Sequence, residues 1–370
     1  MKLELATESD NERLIQYFEQ ATIPGPIRLR IRRMTNFFNQ YRLQSDDIET
    51  YMLVNDKNDI EGLATLVFRD AILDGNRQTI AYATDLRVSP TRRAVLSWSR
   101  HFLPVIERAR ESRNCHYFFS VVASSQRQAY NAFIRPRNFR RQLPRYHLFR
   151  RLQLVSLHGL WPFHPAPLPG IRIRSASPGD LDVLTDYLVK KSTTKPLRYM
   201  ATADDFVKNL TRWQDLDIAN FLLAFDKSNK LIGCVAPWKA ERIQRIYTAD
   251  YEAKAKNLQD LSRVMSWLRI GHALPYEGHE LETRYLTHLH ADNPDIFYSL
   301  LYNAYHNAGK KEVLVYAHFD GDLITMPPHS FLSASLNFGL YCILSPQDPI
   351  PDFLRPKIVS VPPEFEPAFI

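Results

Sequence analysis

Along the 370 residues, short runs in which apolar and polar side chains alternate give way to stretches of helical spacing, and the cycle runs twice. The first cycle opens with LELATESDNERLIQYFEQA from Leu3, which reads as a short strand, a polar turn and a helix. A basic segment, Ile27 to Leu43, follows; Ile27, Leu29, Ile31 and Met34 give it one apolar side, and it is taken as a second helix. Glu49–Asn55, Ile60–Leu73 and Arg77–Val88, separated by polar turns, predict an antiparallel meander. The period then changes. Val95, Leu96, Trp98, Phe102, Leu103 and Ile106 place one long helix over Arg92–Glu111. His116–Val122 reads as a buried strand, Gln126–Ile134 as a helix and Tyr146–Leu157 as a closing strand. The order βααβββαβαβ predicts an α/β domain with a mixed sheet.

The second cycle begins at Ile171 with IRIRSASPGDLDVLTDYLVKK, the same strand, turn and helix at low identity. Between the two lies LWPFHPAPLPG, Leu160 to Gly170, where four prolines disfavour both helix and central strand. At roughly 100 to 200 residues per domain, two domains are expected. They are 1–159 and 171–370, joined by a Pro-rich linker at 160–170. The second contains a hairpin, Ala219–Phe225 with Leu231–Trp238, and then an insert at 239–279 that reads as helix-rich and could cover a substrate. Leu281–His290, a helix at Pro294–Ala308, Glu312–His318 and Gly339–Leu344 complete it, with a C-terminal extension beyond.

Composition narrows the class. With 45% hydrophobic and 24% charged residues the chain is a folded protein rather than a disordered one. Met1–Asp10 carries acids and no apolar core, so no secretory leader is expected, and no stretch is long and apolar enough for a membrane span. The three cysteines lie far apart without a C-x-x-C pair, which fits a reducing, cytoplasmic setting. Charge is uneven: Met1–Leu160 holds 25 of the 47 Lys and Arg against 16 of the 40 Asp and Glu, a net +9, leaving −2 for the rest. Nearly all of that excess is arginine, which pairs bidentately with phosphate and carboxylate, so an anionic ligand or a solvated basic face is expected.

ATESDNERLIQYFEQATIPGPIRLRIRR at the start, IAYATDLRVSP at Ile80, LPRYHLFRRLQLVSL at Leu143 and RYLTHLHADNPDIFYSLL at Arg284 carry a family likeness. With the element order, they make the chain resemble GNAT-type N-acyltransferases with two tandem GNAT-like domains, as in a group of bacterial proteins of similar length. The resemblance covers nearly the whole chain. It implies an acyl-CoA co-substrate, acetyl-CoA or another, and a small-molecule or peptide amine as acceptor. In the family, a strand ending in V-x-P runs into a glycine-rich turn at a helix N-terminus that holds the coenzyme A pyrophosphate. The matching stretch here keeps the strand word through Leu86, Arg87, Val88 and Pro90, followed by Arg92, Arg93 and Ala94. It lacks the glycines: Leu96 and Trp98, or Val95 and Ser97, stand in the small-residue positions. The resemblance assigns carbonyl polarisation to the backbone of Leu86–Val88, and the pyrophosphate to Arg92, Arg93 and the Ala94 amide. Asp85 matches a carboxylate that some family members place to take the amine proton, directly or through water; the plainer alternative is a strand-end acid paired with a nearby arginine. The general acid is implied within RQAYNAFIRPRNF, where Ile134 falls at the family's tyrosine position and Tyr130, four residues earlier on the same helix face, could substitute. The absent glycines keep a second expectation open, that of a binding protein which kept the fold and lost the cofactor turn.

In the second half the matching turn, His288-Leu289-His290-Ala291-Asp292, has neither glycine nor arginine, so coenzyme A is not expected there. His288 and His290 alternate as an H-x-H pair, with His318 or Asp320 as conceivable further ligands. Two histidines without a defined third are commonly plain strand residues, and no metal is expected. Tyr316, His318, Asp320 and Asp322 at a strand end are candidates for substrate contact. Arg28, Arg30, Arg32 and Arg33 beside Phe37, Phe38 and Tyr41 allow a nucleic-acid reading, weakened by the apolar side that would turn the aromatics inward. Serine-hydrolase, zincin, P-loop and dinucleotide words are absent.

Overall fold

The computed structural model describes residues 1–125, 134, 143–200, 202–268, 270–355 and 361–370. Among them are fourteen strands: β1 (Lys2–Leu5), β2 (Ile27–Arg33), β3 (Ile48–Val54), β4 (Ile60–Leu73), β5 (Asn76–Val88), β6 (Tyr117–Ala123), β7 (Arg145–Leu160), β8 (Arg172–Ser175), β9 (Leu222–Phe225), β10 (Leu231–Trp238), β11 (Gln244–Tyr251), β12 (Thr283–Ala291), β13 (Val313–Phe319) and β14 (Phe331–Leu344). The helices are α1 (Asn11–Glu19), α2 (Asn39–Arg42), α3 (Arg92–Arg113), α4 (Leu181–Ser192), α5 (Ala203–Arg212), α6 (Ala253–Trp267) and α7 (Pro294–His306).

Twelve strands form one sheet in the order β1-β3-β4-β5-β6-β14-β7-β13-β12-β10-β9-β8. Read from either edge inward, the order is the same. An N-terminal strand is followed by an antiparallel meander and then by a parallel pair, β5 with β6 in one half and β12 with β13 in the other. The two closing strands change places at the centre. β14, from the end of the chain, pairs with β6, while β7, from the first half, pairs with β13; β7 and β14 are themselves antiparallel along their length. The alternation in each strand sorts its side chains to two faces. On one face α3 packs over Tyr51, Leu66, Ala81 and Phe118, and α7 over Leu222, Val235 and Leu314. The other face carries a continuous core from Leu14 and Phe18 of α1 to Leu184 of α4, Phe206 of α5 and the last residues, Ala368 and Phe369.

Two expectations change. Ile27–Arg33 is a strand, not a helix, and pairs with β11 in a separate two-stranded ribbon. Its polar and apolar residues alternate strictly, so Arg28, Arg30 and Arg32 are exposed while Arg33 is buried. The insert at 239–279 is accordingly part strand, β11, and part helix, α6. The aromatics of the segment do pack inward: Phe37, Phe38 and Tyr41 are buried. Trp161–Gly170 has neither helix nor strand. The helix expected at Gln126–Ile134 lies, apart from Ile134, outside the described residues, and Tyr130 with it. No described helix is long and apolar enough to cross a membrane.

Candidate functional site

The parallel pair in the first half is short. Ile80, Ala81 and Tyr82 match Tyr117, Phe118 and Phe119, and the registered pairing ends there. Three residues beyond Tyr82, Asp85 adopts φ +53°, a left-handed conformation uncommon for a residue with a side chain. The β4–β5 register shifts at the same place: Leu63 pairs with Arg87 and Thr65 with Thr84, which leaves Asp85 and Leu86 as a bulge opposite Ala64. A bulge bends its strand and re-aims the side chains around it. Here β5 turns away from β6, and beneath α3 beside the bulge lies a narrow apolar cleft. Leu86, Trp98, His101, Phe102, Ser120 and Tyr146 are among its walls.

Asp85 is mostly enclosed. Its Oδ2 accepts from Arg33 Nη2 at 2.7 Å and from the Tyr41 hydroxyl at 2.9 Å, while Oδ1 takes no hydrogen bond from the described residues. Arg33 is 3% exposed and its Nη1 donates to Gln244 Oε1 at 2.7 Å, so a residue of β11 props the guanidinium against the carboxylate. Burial, with the adjacent Asp85 carboxylate, holds the Tyr41 phenol well above its usual value of 10, and it stays a donor. A nearby arginine is the partner that the plainer reading of Asp85 expects, and Arg33 fills that place; Tyr41, and Gln244 behind Arg33, have no counterpart in the sequence reading. The signal for Arg33 was present in IRLRIRR, whose alternation sends Arg33 inward where a charge needs a partner.

Of the residues assigned to the cofactor, Leu86 lines the cleft, while Arg87, Val88, Arg92, Arg93 and Ala94 are not among its walls. Arg87 turns its side chain over the Phe18 ring at 3.6 Å and onto the Phe18 carbonyl at 3.0 Å. At the start of α3, Thr91 caps the helix by accepting the Ala94 amide at 3.2 Å. Ala94 is fully buried, Arg93 pairs with Asp56 at 2.8 Å, and Arg92 is exposed with no ion pair or hydrogen bond to the described residues. The first turn contains no acid. An unpaired guanidinium at a helix N-terminus is suited to an anion.

The second half repeats the geometry with different chemistry. Parallel pairing of β12 with β13 ends at Tyr285, and three residues on His288 has φ +51°, opposite a register shift in β10. His288 is therefore the counterpart of Asp85. Its ring is buried among Phe206, Trp213 and Phe221 at centroid distances of 5.3 to 5.9 Å, and burial lowers it to about 3. His290 instead stands 3.2 Å from Lys195 Nζ. His318 bonds Thr325 and Tyr316 is buried; among the described residues no group of three His, Cys, Asp or Glu could hold a metal. At α7, Asn293 already accepts from the Asp295 and Ile296 amides, and Asp295 adds a negative charge, so this helix start disfavours an anion. The bulge amide of His288 is bound by both carboxylate oxygens of Glu366, at 3.1 Å each. Glu366 and its neighbour Glu364 come from the C-terminal extension, which lines a cleft with Lys195, His290 and Asp322.

This architecture, two GNAT-like halves each with a bulged, splayed parallel pair, is the GNAT-type N-acyltransferase fold in tandem. Saccharomyces cerevisiae N-myristoyltransferase with bound myristoyl-CoA shares it at a TM-score of 0.53, 11% identity, and coverage of 92% of this chain and 82% of that chain. The same yeast enzyme with bound myristoyl-CoA and inhibitors matches at 0.52 and 11%, covering 93% and 80%. A GCN5-related N-acetyltransferase from Sphaerobacter thermophilus matches more loosely, at 0.46 and 13% over 81% and 82%. No protein-family model matches the sequence, and neither does any curated protein.

Proposed function

We propose that this chain transfers an acyl group from an acyl-CoA thioester to an amine, and that the thioester lies in the first-half splay between β5 and β6. The observation that carries the reading is the contrast between the two helix starts. α3 offers Arg92, Arg93 and no acid above an apolar cleft, whereas α7 offers Asp295 and amides already capped. Arg92 and Arg93 hold the pyrophosphate, with Arg93 leaving Asp56; backbone groups of the Leu86–Val88 bulge polarise the thioester carbonyl. The amine attacks that carbon, and Asp85 Oδ1 accepts its proton while Oδ2 stays on Arg33 and Tyr41. The thiolate leaves as coenzyme A and is protonated by water, and Asp85 returns its proton to solvent, so the net change is the amine proton passed to the thiol. An apolar cleft suits a pantetheine arm and an alkyl chain, so both acetyl-CoA and longer acyl-CoAs are candidate donors.

One observation favours the other reading, a binding protein without turnover: the Ala94 amide, one of the groups assigned to the pyrophosphate, is already bound by Thr91. Calorimetric titration with acetyl-CoA and with a long-chain acyl-CoA separates them. Saturable binding that weakens about 10-fold or more in Arg92→Ala/Arg93→Ala supports the N-terminal seat, since each phosphate contact is charge-assisted. Absence of binding to either donor overturns it. For turnover, Asp85→Asn lowers kcat about 100-fold or more with donor affinity unchanged if Oδ1 is the proton acceptor; an unaltered kcat removes that role.

A further inference from the structure

Helix α6 is turned inside out for a helix facing water. Its inward side is small and polar: Ala255 is fully buried, Gln259 Nε2 donates to the Pro275 carbonyl at 2.8 Å, and Ser262 Oγ accepts from the Leu274 amide at 2.9 Å. Its outward side carries Leu258, Leu261, Val264 and Leu268, spaced three and four residues apart and each about half exposed. Trp267, at the end of the stripe, is 82% exposed. The chain just beyond the helix is fastened to the start of the Pro-rich run: Leu160 donates its amide to the Ile270 carbonyl at 2.9 Å, and Gly159 bridges Gly271. Trp161 and Phe163 therefore emerge beside the end of α6, and Phe163 is 99% exposed.

A water-facing helix normally puts its leucines inward, and apolar patches of this kind mark an interaction surface. The charge around the patch identifies what fits it. α6 carries Lys254, Lys256 and Arg263 against a single acid, Asp260; Lys256 and Arg263 lie on one side of the apolar stripe, where Arg263 pairs with Asp260 at 3.0 Å and Lys256 stands 3.9 Å from Glu277. Arg28, Arg30 and Arg32 line the exposed side of β2, which pairs with the strand that leads into α6; Arg28 and Arg32 are paired with Asp250 and Glu19 in surface bridges, which are weak, and Arg30 has no ion pair to the described residues. An apolar stripe, indole rings at one end and bases on the flank match the layered chemistry of a bilayer surface, where acyl chains, carbonyl region and phosphates succeed one another. Protein interfaces, by comparison, are depleted in lysine. We propose that the outward face of α6, with Trp161 and Phe163, seats on an anionic phospholipid membrane surface without crossing it.

The test is co-sedimentation of the full chain with vesicles of phosphatidylcholine alone and of phosphatidylcholine mixed with phosphatidylglycerol. Partitioning is expected to be stronger on the mixed vesicles and to fall with salt. Leu261→Ser/Trp267→Ser lowers it about 100-fold, at roughly 10-fold or more for each apolar side chain withdrawn from lipid. Lys256→Gln/Arg263→Gln lowers it about 10-fold on mixed vesicles and leaves phosphatidylcholine binding unchanged. As a second readout, brominated phosphatidylcholine quenches the emission of Trp161→Phe but not that of Trp161→Phe/Trp267→Phe. No sedimentation with either vesicle, or equal sedimentation of the Leu261→Ser/Trp267→Ser variant, overturns the proposal. So does a dimer in sedimentation velocity that this variant dissociates, which would place a second copy on the face. None of these readouts involves acyl transfer, so the result is independent of the reading of the cleft.

Discussion

Glu366→Gln tests the least expected feature of the second half, a carboxyl group buried against a strand bulge. Glu366 is 5% exposed, accepts the His288 amide with both oxygens and lies near Glu364, with Lys195 the nearby cation. Burial, reinforced by Glu364, pushes its carboxyl from 4.5 up to about 8. The folded protein therefore keeps a proton that the unfolded chain has released. This group's contribution to stability is complete below about pH 4.5 and is lost as pH rises through about 8. Integrated from about pH 5.5 to about pH 8.5, at about 1.4 kcal/mol per unit while the two states differ by a full proton, the loss is about 3 kcal/mol. Buried histidines act in the opposite sense. His158, lowered to about 4, His288, lowered to about 3, and His290, held well below its usual value by burial and by Lys195, are neutral in the fold, and the stability they carry is lost as pH falls below about 6.5. The wild-type profile alone would mix these effects, and the difference between wild type and Glu366→Gln isolates the carboxyl. Urea unfolding of both proteins at the two pH values is the assay. The glutamine keeps a carbonyl for the His288 amide and cannot ionise, so it should gain about 3 kcal/mol over wild type between the lower and the higher pH. A difference that stays constant to within about 1 kcal/mol would refute the reasoning and mean that Lys195 holds Glu366 ionised throughout.

Asp85→Ala strands the Arg33 guanidinium, 3% exposed, without a counter-charge and should cost about 3–5 kcal/mol in urea unfolding; a loss under about 1 kcal/mol would mean Gln244 suffices. Thr91→Ala removes the cap on the Ala94 amide and should cost about 1 kcal/mol, read the same way, while freeing that amide for a coenzyme A phosphate in the calorimeter. Gly233→Ala places a Cβ 2.6 Å from Ile296 Cγ2 and 3.0 Å from Leu300 Cδ1, so α7 must move off β10; a thermal melt should show about 1–3 kcal/mol of destabilisation.

Local patterning carried most of the fold, because period and turn chemistry lie within a few residues. The meander β3-β4-β5, α3 and the parallel strands on either side of each crossover helix were legible from it. Ile27–Arg33 was legible too and was misread: four apolar residues were counted as a helical face when strict alternation of arginine with Ile and Leu specifies a strand. What no local pattern could supply was the partner. β2 pairs with β11 more than 200 residues away, and the bond from Arg33 to Gln244 spans 211 positions. The same limit hid the Asp85 environment, since Arg33 and Tyr41 reach it from two elements and Gln244 props Arg33 from a third. It also hid the tail. PPEFEPAF reads as a Pro-rich end, yet both its glutamates are buried: Glu366 accepts from the His288 bulge amide, and Glu364 from the Tyr199 amide and the Ser192 hydroxyl. Asp85 and His288 share a backbone conformation and a place in the topology while sharing no chemistry, and a search for repeated residues could not connect them.

The exchange of closing strands makes a prediction about how the halves depend on each other. β6, which forms one wall of the first-half splay, has β5 on one side for three registered positions only; on the other it has β14 from Phe338 to Ile343. β13 similarly relies on β7. A fragment of residues 1–170 therefore has β6 exposed along most of its length and β7 with no strand on either side, and unpaired edges of this kind favour misassociation. The fragment of residues 171–370 has the complementary defect. Each fragment alone should show no cooperative thermal transition, and mixing the two should restore one, with the cleft beside Leu86 and Ser120 formed again because β6 is held by β14. A cooperative, monomeric 1–170 fragment would mean that β7 can fold back beside β6, and that the exchange is not required for the first half to fold. If complementation holds, the splay that the acyl-CoA reading uses is built partly by the half whose own helix start is capped by Asn293 and carries Asp295, which gives the second half a structural reason to be present.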